Sequence, residues 1–244
     1  MSTYVLIPGF WLGGWAWSPV TEELRQRGHT VHPLTLAGMG ERAAEATPDV
    51  DLSRHIDEVV QLLVSEDLHE VVLVGHSYAG LVITGAADRV PERVAQLVFV
   101  DTGPLPDGMS QNDFDPPDEQ AANAQLVETH GDGWKLPPPP WAEMAAGMPD
   151  VDDAAIEAIT MQSVPQPWAT ATQPARLTGA WDDLPRFGVL CSFTEDQARG
   201  MAAVVPAFQH MDGDKWRYAE LPTWHWPMFS RPAELAEILD AASR

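Results

Sequence analysis

The stretch Val71-Val-Leu-Val-Gly75-His76-Ser77-Tyr78-Ala79-Gly80-Leu-Val-Ile83 sets the reading of this chain. An apolar, β-branched run of strand character passes through a turn of small residues into a helical pattern, with one hydroxyl at the bend. A serine so placed sits on a strained turn with its Oγ exposed above a sheet edge, the arrangement that presents a nucleophile. Gly75 and Ala79 are small because backbone segments approach closely there. The usual spacing of such a bend is G-x-S-x-G; here the last place is Ala79 and the glycine follows at Gly80, a mild departure. The plainer alternative is a serine that only turns or caps the chain, so the surroundings decide.

Those surroundings alternate. Short apolar runs at 4–7, 31–36, 71–74, 94–100, 187–191 and 216–221 read as buried parallel strands. Helical patterns separate them: 20–27, ending at the C-cap candidate Gly28; 52–63, behind Asp51; and 231–242, opened by Pro232. Strand and helix in alternation build a mostly parallel, six-stranded sheet flanked by helices, an α/β fold. The alternation breaks between about 103 and 186, which holds over half of the 22 prolines. Helical patterns at 118–128, 141–146 and 152–162, with Trp134, Trp141 and Trp168, make it a small helical cap rather than a linker. The domain reading is therefore a core of 1–103 and 186–244 with a cap insertion of 104–185.

Composition narrows the function. With 244 residues, 45% of them hydrophobic, there is material for one core. Lys and Arg total 14 against 36 Asp and Glu, a formal charge of -22, so polyanionic partners such as nucleic acid or an anionic membrane are not expected. The single cysteine, Cys191, excludes an internal disulfide and a cysteine-based zinc site. No apolar run approaches the roughly 18 residues of a membrane helix, and the first residues lack a secretory pattern, so a soluble cytoplasmic protein is expected. The last helix is amphipathic, as packing on its own sheet requires, and leaves monomer against homodimer open.

A serine hydroxyl needs a base. Of eight histidines, His225 in Glu220-Leu-Pro-Thr-Trp-His225-Trp-Pro-Met follows the last strand and precedes the last helix, at the same sheet edge as Ser77. His76 is expected to be turned away from Ser77 as a packing or hydrogen-bonding residue. His29, His32, His55 and His69 read as structural, and His130 and His210 as loop residues. An oxyanion needs two N–H donors: Tyr78, after the nucleophile, and Phe10, in the turn Ile7-Pro-Gly-Phe-Trp-Leu-Gly-Gly-Trp15 after the first strand.

On these motifs, with Gly13-Gly-Trp-Ala-Trp17 and Gly38-Met-Gly-Glu-Arg42, the chain resembles the α/β-hydrolase superfamily over nearly its whole length. It is most similar to the compact branch of small methyl esterases and hydroxynitrile lyases. The resemblance implies an α/β-hydrolase fold and a Ser-His-acid triad. A lyase of that branch carries a lysine directly after the catalytic histidine and a hydroxyl residue in the oxyanion loop; here those places hold Trp226 and Gly9. In the family the acid usually follows the penultimate strand. Here that place reads Thr194-Glu195-Asp196-Gln197, which is equally a helix capping box, so Asp101 at the end of the fourth strand is favoured, with Glu195 or Asp196 as the alternative acid.

The expected substrate is a small-molecule carboxylic ester, apolar or aromatic and small to medium in size, cleaved through an acyl-enzyme. Trp11, Trp134, Trp141, Trp168, Trp224 and Met228 are expected to bind it, with Met161 a further candidate and Arg42 the one basic residue to watch near the site. No metal or organic cofactor is implied. Three other readings compete: a lyase using the same Ser/His pair, a tailoring esterase or cyclase of natural-product biosynthesis, and a binding protein without turnover.

Overall fold

The computed structural model describes residues 1–148 and 150–243. Its strands are β1 (Thr3–Ile7), β2 (Thr30–Pro33), β3 (Val71–His76), β4 (Val94–Val100), β5 (Lys135–Leu136), β6 (Gln166–Pro167), β7 (Arg186–Leu190) and β8 (Trp216–Glu220). Six of them form one parallel sheet in the order β2-β1-β3-β4-β7-β8. The helices are α1 (Ser18–Gln26), α2 (Leu52–Ser65), α3 (Ala79–Arg89), α4 (Pro117–His130), α5 (Trp141–Met144), α6 (Asp153–Gln162), α7 (Trp168–Thr172), α8 (Glu195–Ala202), α9 (Pro227–Ser230) and α10 (Pro232–Ala242).

Every residue of β3 is buried because helices cover both faces of the sheet. Val71 and Leu73 face the core formed with α2 and α3; Val72 and Val74 face the core formed with α1 and α10. Leaving water stabilises each such side chain by about 1.5–3 kcal/mol. The helix ends follow the sequence: Asp51 caps α2 by accepting from the Arg54 N–H at 2.8 Å, and Gly28 takes a φ of +90° behind α1. The second strand is shorter than its apolar run suggested: it ends at Pro33 on the edge of the sheet, where a proline is tolerated, and the Leu34 N–H makes a last bond to the Leu6 carbonyl at 2.9 Å.

Strand order reverses beside β1, where the chain passes outward to β2 on one side and to β3 on the other. In a sheet of this kind the crevice at such a reversal, at the carboxyl ends of the strands, is where sites form. Ile7 is level with Gly75 and His76 with Val100, so the turns leaving β1, β3 and β4 meet at one edge.

Between β4 and β7 the chain leaves the sheet. This excursion holds α4 to α7 and an antiparallel ribbon of β5 and β6, which the sequence reading did not include. It is tied to the turn after β1: the Trp11 N–H donates to Gln166 Oε1 at 3.1 Å, and Val164 N–H donates to the Trp11 carbonyl at 2.9 Å.

Two glycines make opposite predictions. A Cβ at Gly75 would lie 2.6 Å from the Ala79 carbonyl oxygen, a backbone atom held inside the elbow. A Cβ at Gly85 would meet only side-chain atoms of Ile56, Cδ1 first and then Cγ1 at 2.9 Å, which can move. Gly75→Ala should therefore cost about 2 kcal/mol or more in urea unfolding, and Gly85→Ala less than about 1 kcal/mol, since alanine also favours the helix. Equal losses would contradict this packing.

Candidate active site

Ser77 leaves β3 with a φ of +53°, a left-handed conformation a serine rarely adopts, and its N–H donates to the Val100 carbonyl at 3.2 Å. The strain is sustained because the strand before it and the helix after it are both packed. Gly9 lies directly across: a Cβ there would be 2.9 Å from Ser77 Cβ. Neither the Phe10 nor the Tyr78 N–H has an acceptor among the described residues, and both border this edge. The Phe10 ring packs on that of Tyr78, centroids 4.7 Å apart.

Asp101 ends β4 with a φ of +49°, so its side chain turns across the sheet toward the end of β7. Its Oδ1 accepts from Cys191 N–H and Ser192 N–H, each at 2.8 Å, and its Oδ2 from Ser192 Oγ at 2.7 Å and His225 Nδ1 at 2.6 Å. The carboxylate has no exposure to water. Burial alone would raise its pKa, but the hydrogen bonds from His225 and Ser192 hold it below the ordinary carboxylate range. Ser192 stands where an acid after the penultimate strand would be, and serves as a donor to the carboxylate reaching over from β4.

The alternative acids lie elsewhere. Glu195 and Asp196 occupy the first turn of α8 behind the Thr194–Gln197 capping box, and Glu195 pairs with Arg199 at 2.8 Å. Cys191, buried, has its thiol pushed up by desolvation and by the Asp101 charge, which keeps it from acting as a nucleophile.

Two further histidines hold the site together. The His76 ring lies 4.8 Å from that of His225, and its Nε2–H donates to the His225 carbonyl at 2.7 Å. Burial, then repulsion from His225, lowers its pKa to about 3, so the ring stays neutral. His55 Nε2–H donates to the Ala37 carbonyl at 2.9 Å, which leaves Nδ1 to accept the Tyr78 hydroxyl at 3.0 Å. Burial lowers its pKa to about 4. His29 pairs with Asp240 at 3.0 Å, and His210, expected in an open loop, is half-buried with its ring edge-on to Trp181.

A cavity of about 210 Å³ opens on this edge. Ser77, Asp101 and His225 line it from the sheet, and Thr102, Gly103 and Leu105 from the chain leaving β4. Gln111, Phe114 and Asp115 come from the excursion, and Phe193, Phe208 and Met211 from the segment between β7 and β8. The expected wall of tryptophans is elsewhere. Trp141 packs against Trp11, Trp224 and Trp226, sealing the excursion to the core on the α1 and α10 side of the sheet, where Met228 is fully buried. Such flat rings remove most area from water when packed on one another. Trp134 lies under the Lys135 ammonium, Trp168 opens α7 half-buried, and Met161 is exposed. Arg42 is bound to Glu58 at 3.0 Å, to Glu45 and to the Thr35 carbonyl, away from the cavity. Among the described residues, no group of three or more His, Cys, Asp and Glu side chains could hold a metal ion.

The family model described as "Alpha/beta hydrolase family" matches residues 4–238, and the chain belongs to that family. A carbendazim hydrolyzing esterase of Nocardioides sp. (strain SG-4G) is 32% identical over 253 residues, 99% of each chain. Methylesterase 8 of Arabidopsis thaliana is 37% identical over 112 residues, 46% of this chain and 41% of that protein. Among solved structures, an extracellular alpha/beta-hydrolase from a Paenibacillus species, described as sharing structural and functional homology with tobacco salicylic acid binding protein 2, superposes with a TM-score of 0.84 at 26% identity over the whole of both chains. Among the described residues no helix is long and apolar enough to cross a membrane.

The buried histidines give this site a pH signature. Free histidine titrates near about 6.5, so between there and about pH 4 the unfolded chain binds protons at His55 and His76 that the folded chain refuses. Stability must therefore fall as the pH drops through that window, while Asp101 remains charged. Urea unfolding of His55→Gln, which keeps a donor and an acceptor without titrating, should show a fall between pH 7 and 4.5 smaller than the parent's by about 1 kcal/mol or more. Identical pH profiles would contradict the neutral, buried imidazole.

Proposed function

We propose that the chain is a serine esterase in which Ser77, His225 and Asp101 form a catalytic triad. The observation that carries this is the contact of His225 Nδ1 with a buried, ionised Asp101 at the wall of the cavity that also holds Ser77. A carboxylate on Nδ1–H fixes the tautomer and leaves Nε2 bare to take the serine proton. As Oγ attacks an ester carbonyl, His225 accepts that proton. The Phe10 and Tyr78 N–H groups hold the oxyanion, and the alcohol leaves with the proton returned by His225. Water, deprotonated by His225, then attacks the acyl-enzyme and releases the acid.

The Asp101 charge stabilises the imidazolium formed in each half, and its hydrogen bonds keep the ring from turning. His76 and Tyr78 act on position: one fixes the carbonyl of His225, the other lies beside the nucleophile with its hydroxyl bonded to His55. A cavity of this volume, walled by phenyl rings and a thioether, suits a small or medium aromatic ester. The full-length relative named an esterase and the methylesterase match support ester cleavage. The place after His225 holds buried Trp226, which carries no charge to offer a leaving anion, so a lyase reading gains no support.

The test is steady-state hydrolysis of p-nitrophenyl acetate. Ser77→Ala and His225→Ala should each lower kcat by at least about 10³-fold, and Asp101→Asn by about 10³- to 10⁴-fold with KM little changed. Retention of near-parent kcat by Ser77→Ala would overturn the reading. A near-normal Asp101→Asn would return the acid to Glu195 or Asp196.

A further inference from the structure

The part of the cavity supplied from outside the sheet is more specific than an apolar wall. Phe114 and Phe208 face each other with centroids 5.5 Å apart, and Phe193 meets Phe208 edge-on at 6.3 Å. Phe114 keeps 45% of its surface exposed and is the one aromatic ring among the exposed large apolar side chains of the described residues. Beside it, on the same wall, stands Asp115. Its loop is fixed: the Asp115 carbonyl accepts from Gln120 Nε2 at 2.8 Å, and its N–H donates to the Asn112 carbonyl at 3.3 Å.

The carboxylate itself is poorly served. Among the described residues its one hydrogen bond is a long one from Asn123 Nδ2, at 3.3 Å, and no Lys or Arg pairs with it. No Lys or Arg lines the cavity. Burial, and then the charge of Glu119, push the Asp115 carboxyl above its ordinary range, as expected of an anion lacking a counter-charge. Aromatic rings that line the same cavity as an uncompensated carboxylate are what an organic cation binds: the rings offer their negative faces and the carboxylate its charge.

Resting on the esterase reading above, we propose that the favoured substrate is an ester whose aromatic or alkyl body bears an organic cation, an alkylammonium or a protonated nitrogen heterocycle, held by Asp115 among Phe114, Phe193 and Phe208. Ser77 and His225 act at the sheet edge while this wall holds the charge. Asp115 is thus a specificity-determining residue. The same wall disfavours anionic esters, for which the cavity holds no partner.

The experiment compares two isosteric substrates, 4-[(dimethylamino)methyl]phenyl acetate and 4-isobutylphenyl acetate, at neutral pH, each rate divided by its hydroxide-catalysed rate. The parent should prefer the ammonium ester in kcat/KM by about five- to tenfold. Asp115→Asn should bring that ratio to within about twofold of one. Asp118→Asn, one charge removed nearby on α4 but off the cavity wall, should retain the preference and so separate a local contact from the field of the whole acidic surface. No preference in the parent, or the same preference in Asp115→Asn, would overturn the proposal.

Calorimetric binding of the two corresponding phenols to the parent gives a readout without turnover. Tighter binding of the ammonium phenol, lost in Asp115→Asn, supports the cation site even where both acetates go uncleaved, a result that would remove the esterase reading alone. Equal binding of the two phenols removes the site.

Discussion

A carboxylate wholly withdrawn from water is the costliest group in this structure, and the arrangement of the sheet edge answers to it. Asp101 needs donors for both oxygens; it finds three on Cys191 and Ser192 and a fourth on His225. Those donors exist only where β4 and β7 lie side by side in register, Val100 level with Val189, and where the chain after β8 returns His225 to the same edge. The register of three strands thus bears on one ring nitrogen. Removing any donor would leave a buried charge short of partners, which ties the stability of the edge to its chemistry.

The same economy governs the neighbours. His76 could carry a charge in water but is kept neutral, and its one hydrogen bond goes to the backbone of the residue whose side chain is engaged with Asp101. The left-handed turns at Ser77 and Asp101 end adjacent strands, β3 and β4, so the two strained residues face one cavity. Strain of this kind persists where packed elements on both sides over-determine the backbone, here the buried β3, β4 and α3.

Much of this is written locally. The alternation of β-branched runs with helical patterns marked the six strands of the main sheet along the chain, and the bend at Gly75 to Ala79 marked Ser77 as the residue between strand and helix, because both signals lie within a few neighbouring residues. That His225 shares a cavity with Ser77 was legible from its place between the last strand and the last helix. The acid is less legible: Thr194 to Gln197 reads both as a helix start and as a carboxylate site, and only the fold shows that Asp101, 124 positions before His225, is the carboxylate that meets its ring. The tryptophans were misplaced for a related reason. Composition says that Trp141 and Trp224 are buried somewhere, but which side of the sheet receives them depends on how the excursion folds back, and the β5–β6 ribbon joins segments about 30 residues apart without a local mark. The phenyl rings that do line the cavity lie in short irregular segments whose spacing carries no period.

The proposed triad requires that one hydroxyl, one imidazole and two backbone donors address a single reacting carbon. The most direct measurement is a crystal structure after treatment with a small alkyl fluorophosphonate, which mimics the tetrahedral intermediate. The proposed triad predicts phosphorus bonded to Ser77 Oγ, the phosphoryl oxygen within hydrogen-bond distance of the Phe10 and Tyr78 N–H groups, and His225 Nε2 within reach of Oγ while Nδ1 stays on Asp101. A phosphonate bonded to another residue, or a phosphoryl oxygen turned away from those N–H groups with His225 swung off Asp101, would contradict it.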